Sequence, residues 1–190
     1  VVKLSTYTTG DYNPGPLLKR VFWYLASLWF FENGWPWPMS FKRSVLRSFG
    51  AKVGVGVVIK PSVKIKYPWF FEVGDHSWIG EGVWIDNVAQ VTLGHDVVLS
   101  QDAYLLTGNH DYKAESFDLM LGPIHVADGA WIAARSVVCP GVIMGKNAIL
   151  TVGSVASGTL TASGIYSGNP AELQRKRSFR SDEVNPGREL

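Results

Sequence analysis

Cysteine is nearly absent: Cys139 is the only one in 190 residues. A single thiol cannot build an internal disulfide framework, and the scarcity fits a reducing cytoplasm. A dominant charge is missing too. The formal net charge is +2, which gives no reason to invoke nucleic acid. No apolar run reaches the roughly 20 residues that a bilayer-crossing helix needs. The strongest, LLKRVFWYLASLWFF at 17–31, is shorter and contains Lys19 and Arg20. It also lacks the small-residue cleavage site of a secretory leader.

What the chain has, at 46% apolar residues, is enough to bury a sizeable core, arranged with a period of six. An aliphatic residue recurs at Val53, Ile59, Ile65; Val73, Ile79, Ile85; Leu93, Leu99, Leu105; Val126, Ile132, Val138; Met144 and Leu150. The next residue is often Gly or Ala, as at Gly54, Gly74, Gly80, Gly94, Ala127, Ala133 and Gly145. Four places on comes a small or β-branched residue, such as Val57, Ser77, Ala103 or Ala148. Neither a helix nor an alternating strand has period six; very short strands joined by tight corners do. Three hexapeptides make one coil of a triangular prism, a mainly β architecture in which each coil buries its interior only against its neighbours.

Coils start at Val53, Val73, Leu93, Val126, Met144 and roughly Ala162, where the pattern weakens as expected of a terminal coil. The step from Val126 to Met144 is 18 residues, the first two steps are 20, and Leu93 to Val126 is 33. The extra residues all fall after the third hexapeptide, at one corner. The longest addition, 111–125, predicts a loop thrown out of the prism there, and long loops in compact repeats carry function.

The expected organisation is an N-terminal extension (1–50), the prism (51–168) and a C-terminal piece (169–190). The extension holds an apolar helix at 17–31, after Pro14 and Pro16, and a second amphipathic helix near 41–49. Two roles stay open for the first helix: packing on the prism or a neighbouring subunit, or resting on a membrane surface near a lipid-linked acceptor. In the second case the protein sits at the inner face of the membrane. After Gly168, Asn169 and Pro170 read as the start of a short helix bearing Arg175, Lys176 and Arg177, followed by Arg180 and a polar, frayed tail.

His110 lies in TGNHDY, where the long loop leaves the prism. An imidazole titrates near neutrality and suits general-base work; the alternative is a histidine that only caps a turn. Asn109 and Asp111 flank it, and His125 closes the same loop. Asp86 and Asn87 lie one coil below and could hold an acceptor hydroxyl or orient the imidazole; Asx turns at a corner are the alternative. His76 and His95 occupy different hexapeptide positions and read as surface residues. No histidine is expected beside Cys139, which argues against a thiolate nucleophile.

The repeat, the His-containing loop and the GNPA ending resemble the hexapeptide-repeat acyltransferases, specifically the colanic-acid-type O-acetyltransferases of exopolysaccharide synthesis. The matching stretches are LRSFGAKVG (46–54), KYPWFFEVGD (66–75), IDNVAQVTLG (85–94), LSQDAYLLTGNHDY (99–112), PIHVADGAWIAARSVVCPGV (123–142) and IYSGNPAE (165–172). The resemblance implies a left-handed parallel β-helix, a homotrimer, and acetyl-CoA in the groove between adjacent prisms. His110 would take the proton of a sugar or glycan hydroxyl during direct transfer. Trp131, Ala133, Ala134, Val152, Ser154, Ser157 and Arg175 match the positions that contact the acyl donor. Glu172 and Gly158 stand where a basic residue is often found, so Lys176 or Arg177 would complete the phosphate contacts. The competing functions are N-acetylation of a nucleotide-linked amino sugar, a non-catalytic glycan-binding prism, and a zinc carbonic anhydrase, which would need three histidines on one metal where only His110 and His125 could meet.

Overall fold

The computed structural model describes residues 1–179. Arg180 and the polar tail lie outside the described residues. From Lys52 onward the chain winds as a parallel β-helix with three faces. The first stacks strands Lys52–Val53, Phe71–Val73, Val91–Leu93, Ile124–Val126 and Ile143–Met144. The second runs from Val58–Ile59 up to Gly164–Ser167, and the third from Lys64–Ile65 up to Val155–Ala156. Equivalent positions stack in register: Val53 pairs with Val73, Val73 with Leu93, Leu93 with Val126 and Val126 with Met144.

Both apolar positions of the hexapeptide point inward. Ile59, Ile79, Ile132 and Leu150 are fully buried, and so are Val57, Val83, Val97 and Ala148. Serines at the second position survive by bonding backbone: Ser77 Oγ donates to Gly94 O at 2.9 Å, and Ser136 Oγ to Thr151 O at 2.8 Å. The glycine after the aliphatic residue has a packing reason. A Cβ at Gly74 would come 2.6 Å from Gly94 C and His95 N of the next coil. The corners add a third periodic element. Residues three past the inward one adopt the left-handed region, including the non-glycines Ser62, His76, Asp96, Asp102, Arg135, Asn147 and Ser163.

The two ends of the solenoid expose unpaired backbone, and each is covered. At the bottom, helix α2 (Met39–Ser48) lays Leu46 on the core and sends three cations under the first coil. Lys42 Nζ donates to Ile59 O and Lys60 O at 3.2 and 3.1 Å. Arg43 Nη1 donates to Val57 O, and Arg47 to Val53 O and Gly54 O. These carbonyls have no preceding coil to accept from.

At the top, two expectations are corrected. Leu160, not Ala162, fills the inward position: it bridges Met144 and is buried, while Ala162 is exposed. Residues Glu172–Lys176 form a strand, not a helix, antiparallel to Gly164–Ser167. The last coil's edge needed a partner, and this pairing outweighs the local helix-start pattern at Asn169-Pro170.

Helix α1 (Leu17–Phe30) ends one residue before the expected limit. It packs on the core through Trp23, with Ala26 and Phe30 partly buried beside it, and Trp23 Nε1 donates to Ile65 O at 2.8 Å.

Candidate functional site

The long insertion is a β-hairpin. Gly108–His110 pairs antiparallel with Leu119–Leu121, His110 opposite Leu119, and the chain rejoins the prism at Ile124. Its tip, 111–118, is turned tightly on itself. Asp111 Oδ1 accepts from Lys113 N at 3.0 Å, and Asp111 N donates to Asp118 O at 2.9 Å. Asp111 therefore builds an Asx turn, while Asn109 is exposed with its Oδ1 accepting from His110 N.

His110 is half-buried and held from two sides. Its Nδ1 lies 3.0 Å from Phe117 O. A carbonyl can only accept, so Nδ1 carries the hydrogen of the neutral ring and Nε2 keeps its lone pair. The Phe117 ring stacks on the imidazole at 4.4 Å and 7°. Phe117 does this from a φ of 55°, a conformation that L side chains rarely adopt. Such strain persists where the surroundings over-determine it, commonly at functional sites.

Those surroundings include a segment that sequence reasoning missed. Residues 3–8 run as a strap across the loop. Lys3 N donates to Glu115 O at 2.8 Å, and Lys3 Nζ pairs with Glu115 Oε2 at 3.0 Å. Thr8 N donates to Asp118 Oδ1 at 2.9 Å, and Leu119 N returns a bond to Thr8 O at 3.2 Å. Ser116 Oγ donates to Asp118 Oδ2 at 2.6 Å. The Tyr7 ring lies 5.8 Å from that of His110. No motif or periodicity marks the strap, because its contacts join residues more than a hundred positions apart.

Three expected acceptor residues are placed elsewhere. Asn87 is fully buried and spends its amide on Tyr67, accepting from Tyr67 N at 3.1 Å and donating to Tyr67 O at 2.7 Å. It shapes the second coil's corner and presents nothing to a ligand. Asp86 faces out of the third face, where it pairs with Lys66 at 2.8 Å and lies 3.4 Å from the Tyr104 hydroxyl. Burial, then the Asp86 charge, raises the Tyr104 pKa. Asp86 lines a cavity of about 480 Å³ between α1 and the third face, not the His110 loop. His125 points outward from the first face, in register with Thr92 and Ile143. Among the described residues it makes no hydrogen bond or ring contact with His110, which lies on the hairpin while His125 is already back in a coil.

His76 and His95 lie at the corner after the first face. His95 Nδ1 accepts from Asp75 N at 3.0 Å, Asp75 Oδ1 accepts from Val55 N, and Asp128 Oδ1 accepts from His95 N. Each side chain caps the coil below it, so His95 is a structural residue.

Of the residues matched to the acyl donor, Trp131 and Val152 are exposed on the second face and its following corner, and Ser157 and Arg175 are exposed as well. Trp131 Nε1 donates to Ser100 Oγ at 2.9 Å, which fixes the indole against the coil below. Ala134 is half-buried beside it. Ala133 and Ser154 are buried, and the Ser154 hydroxyl is bonded to Gly168 N and to Thr151 Oγ1. These two can offer backbone only.

The two cations expected to complete a phosphate site are occupied. Arg177 Nη1 donates to Gly129 O at 3.1 Å, and Lys176 Nζ to Ala162 O at 3.2 Å. Arg175 makes no side-chain hydrogen bond among the described residues, and Gly158 has open space around it. Burial raises the Cys139 thiol pKa, so the chain's one thiol is a poor nucleophile where it sits.

No family model matches the chain. The WcaF acetyltransferase named for colanic acid biosynthesis in Escherichia coli (strain K12) is 40% identical over 133 residues, which cover 70% of this chain and 73% of that protein. A hexapeptide-repeat acetyltransferase of Vibrio cholerae O1 biovar eltor, solved with acetyl-coenzyme A, superposes with a TM-score of 0.75 at 21% identity, over 84% of this chain and 87% of its own. A maltose O-acetyltransferase from Clostridium difficile 630 gives 0.78 at 20% identity, over 86% and 88%. At such identities the superpositions speak to the fold.

Proposed function

The chain belongs to the hexapeptide-repeat acetyltransferases, and on that premise we propose that it moves the acetyl group of acetyl-CoA to a hydroxyl of a glycan or glycan precursor, with His110 as general base. The observation that carries the assignment is the His110 environment. Nδ1 is tied to a main-chain carbonyl, and the free Nε2 is therefore the acceptor.

In this reading Nε2 takes the proton of the acceptor hydroxyl as its oxygen attacks the thioester carbonyl. The new C–O bond makes a tetrahedral oxyanion, which main-chain N–H groups along the groove stabilise. The C–S bond then breaks, and the imidazolium returns its proton to the departing thiolate of coenzyme A. Phe117 O supports the charged ring midway, since an imidazolium donates from both nitrogens. No acyl-enzyme is needed, in keeping with the half-buried Cys139 thiol, whose pKa burial raises.

Trp131 and Ala134 form the wall for the pantetheine arm, with Val152, Ser157 and the backbone at Ala133 and Ser154 continuing it. Arg175 meets the phosphates. A second prism closes this wall into a groove, so the active assembly is a homotrimer; the exposed Trp78 and Trp131 of the second face favour such a contact.

Calorimetric titration with acetyl-CoA tests the reading, followed by thiol release against a panel of sugar acceptors. Saturable binding at one site per chain is expected, together with a 10²- to 10⁴-fold loss of transfer in His110→Ala and unchanged affinity for acetyl-CoA. A folded protein that does not bind acetyl-CoA would refute it in favour of a glycan-binding prism. Transfer only to amino sugars would replace the hydroxyl acceptor with an amine.

A further inference from the structure

Helix α1 leaves an apolar face uncovered. Leu18, Phe22, Leu25 and Trp29 follow one another at helical spacing and are 71%, 62%, 56% and 68% exposed. Leu17, Val21, Tyr24 and Leu28 widen the stripe, and all are exposed. Beyond the helix, Trp29, Trp35 and Trp37 surround a shallow apolar recess with Asn33. Trp35 is 65% exposed, and the Trp37 indole is braced by donating to Trp29 O at 3.3 Å. A contiguous patch of this extent marks an interaction surface.

Charge says what covers it. Helix α1 carries no acidic side chain. The first 50 residues hold six cations, Lys3, Lys19, Arg20, Lys42, Arg43 and Arg47, against Asp11 and Glu32. Of these, Lys42, Arg43 and Arg47 are committed to the first coil's carbonyls and Lys3 to Glu115, so the lysines beside the helix are those of the adjoining coil. Lys60, Lys64 and Lys66 are exposed on the adjoining coil. Lys64 and Lys66 share the cavity rim with α1, and Ser62 N donates to Asn33 O just beyond the helix. Of the nearby acids, Glu32 accepts from Ser27 Oγ at 2.7 Å and Asp86 pairs with Lys66, while Glu81 shares a recess with Lys60.

An apolar stripe with tryptophans at one end and lysines along its side has the composition of an interfacial helix. Among the described residues no helix is long and apolar enough to cross a membrane. We infer that α1 and the Trp29–Trp35 patch dock in the plane of an anionic lipid bilayer, with Lys60 and Lys64 at the headgroups. Docking there does not depend on the acetyltransferase reading, and its failure would leave that reading intact.

Cosedimentation of the full chain with phosphatidylcholine vesicles, with and without phosphatidylglycerol, is the test. Binding to the anionic vesicles is expected to exceed that to the neutral ones. Phe22→Ser with Trp29→Ser should weaken it by at least about tenfold, because each removes a large apolar contact. Lys60→Gln with Lys64→Gln should remove the preference for anionic lipid. Both pairs are exposed, and acetyl-CoA binding and thermal melting report that the variants fold. Two results overturn the inference: no vesicle binding by the unaltered chain, or binding that both double variants retain. If Phe22→Ser with Trp29→Ser instead dissociates the oligomer in light scattering, the face is an interface between copies and the membrane assignment is wrong.

Discussion

Asp118→Ala removes one of the joints between the strap and the His110 loop without touching the prism. The carboxylate accepts from Thr8 N at 2.9 Å and from Ser116 Oγ at 2.6 Å. Hydrogen bonds to a charged group contribute about 1.5–3 kcal/mol when buried, but Asp118 is half-exposed and solvent screening lowers this to about 0.5–1.5 kcal/mol each. The braced loop should therefore lose about 1–3 kcal/mol relative to an open one. Since 1.4 kcal/mol is tenfold, kcat should fall roughly ten- to a hundredfold, less than the 10²–10⁴ expected when the base itself is removed. KM for acetyl-CoA should hold, because the proposed donor wall belongs to the prism.

Two measurements check this. Thiol release with the best acceptor gives kcat and KM, and ¹⁵N-histidine NMR reports whether Nδ1 of His110 still carries its hydrogen. Thermal melting should barely move. Unchanged kcat would refute the strap's positioning role. A large drop in melting temperature would show that Asp118 supports the coils, not the loop. Asp118→Asn keeps an acceptor for Thr8 N and should recover part of the loss.

Three further outcomes follow from the prism. Gly74→Ala places a Cβ 2.6 Å from the next coil's backbone and should cost about 1–3 kcal/mol, read as a melting shift of several degrees; Gly158→Ala, with nothing nearby, should be close to neutral. Burial lowers the Lys42 pKa below 10.5, so in the window between the folded value and 10.5 the unfolded chain binds more protons. Stability measured by denaturant should thus gain a rising contribution as pH climbs through that window, absent in Lys42→Met. Cys139, with its thiol pKa raised by burial, should react with iodoacetamide at pH 8 more slowly than a free thiol, and at the free rate only after unfolding.

The prism was legible because its cause is local and repeated. Each hexapeptide must present two apolar positions inward and turn a corner, so Val53, Ile59 and their successors announce the coils one by one. The insertion before Ile124 and the placement of His110 on it followed from simple register arithmetic. The left-handed corners were less visible, since Ser, His, Asp, Arg and Asn occupy them alongside Gly.

What the chain could not reveal by pattern is whatever depends on a partner distant in sequence. Glu172–Lys176 is a strand because Gly164–Ser167 offers an unpaired edge, and Leu160 displaces Ala162 because Met144 lies beneath it. Asn87 reads as a ligand residue until Tyr67 appears across the coil and consumes its amide. The amphipathic pattern of α2 does not say where its lysine and arginines go; the first coil's orphaned carbonyls decide that in the fold. His110 itself shows the division. Its place on an excursion from the prism was written in the spacing. The hydrogen on Nδ1, and hence the free Nε2, was decided by Phe117 in a strained conformation, with the surrounding loop braced by residues 3–8. Periodicity encodes interactions of each residue with its own repeat; the tautomer of one imidazole depends on a contact that only the folded loop makes.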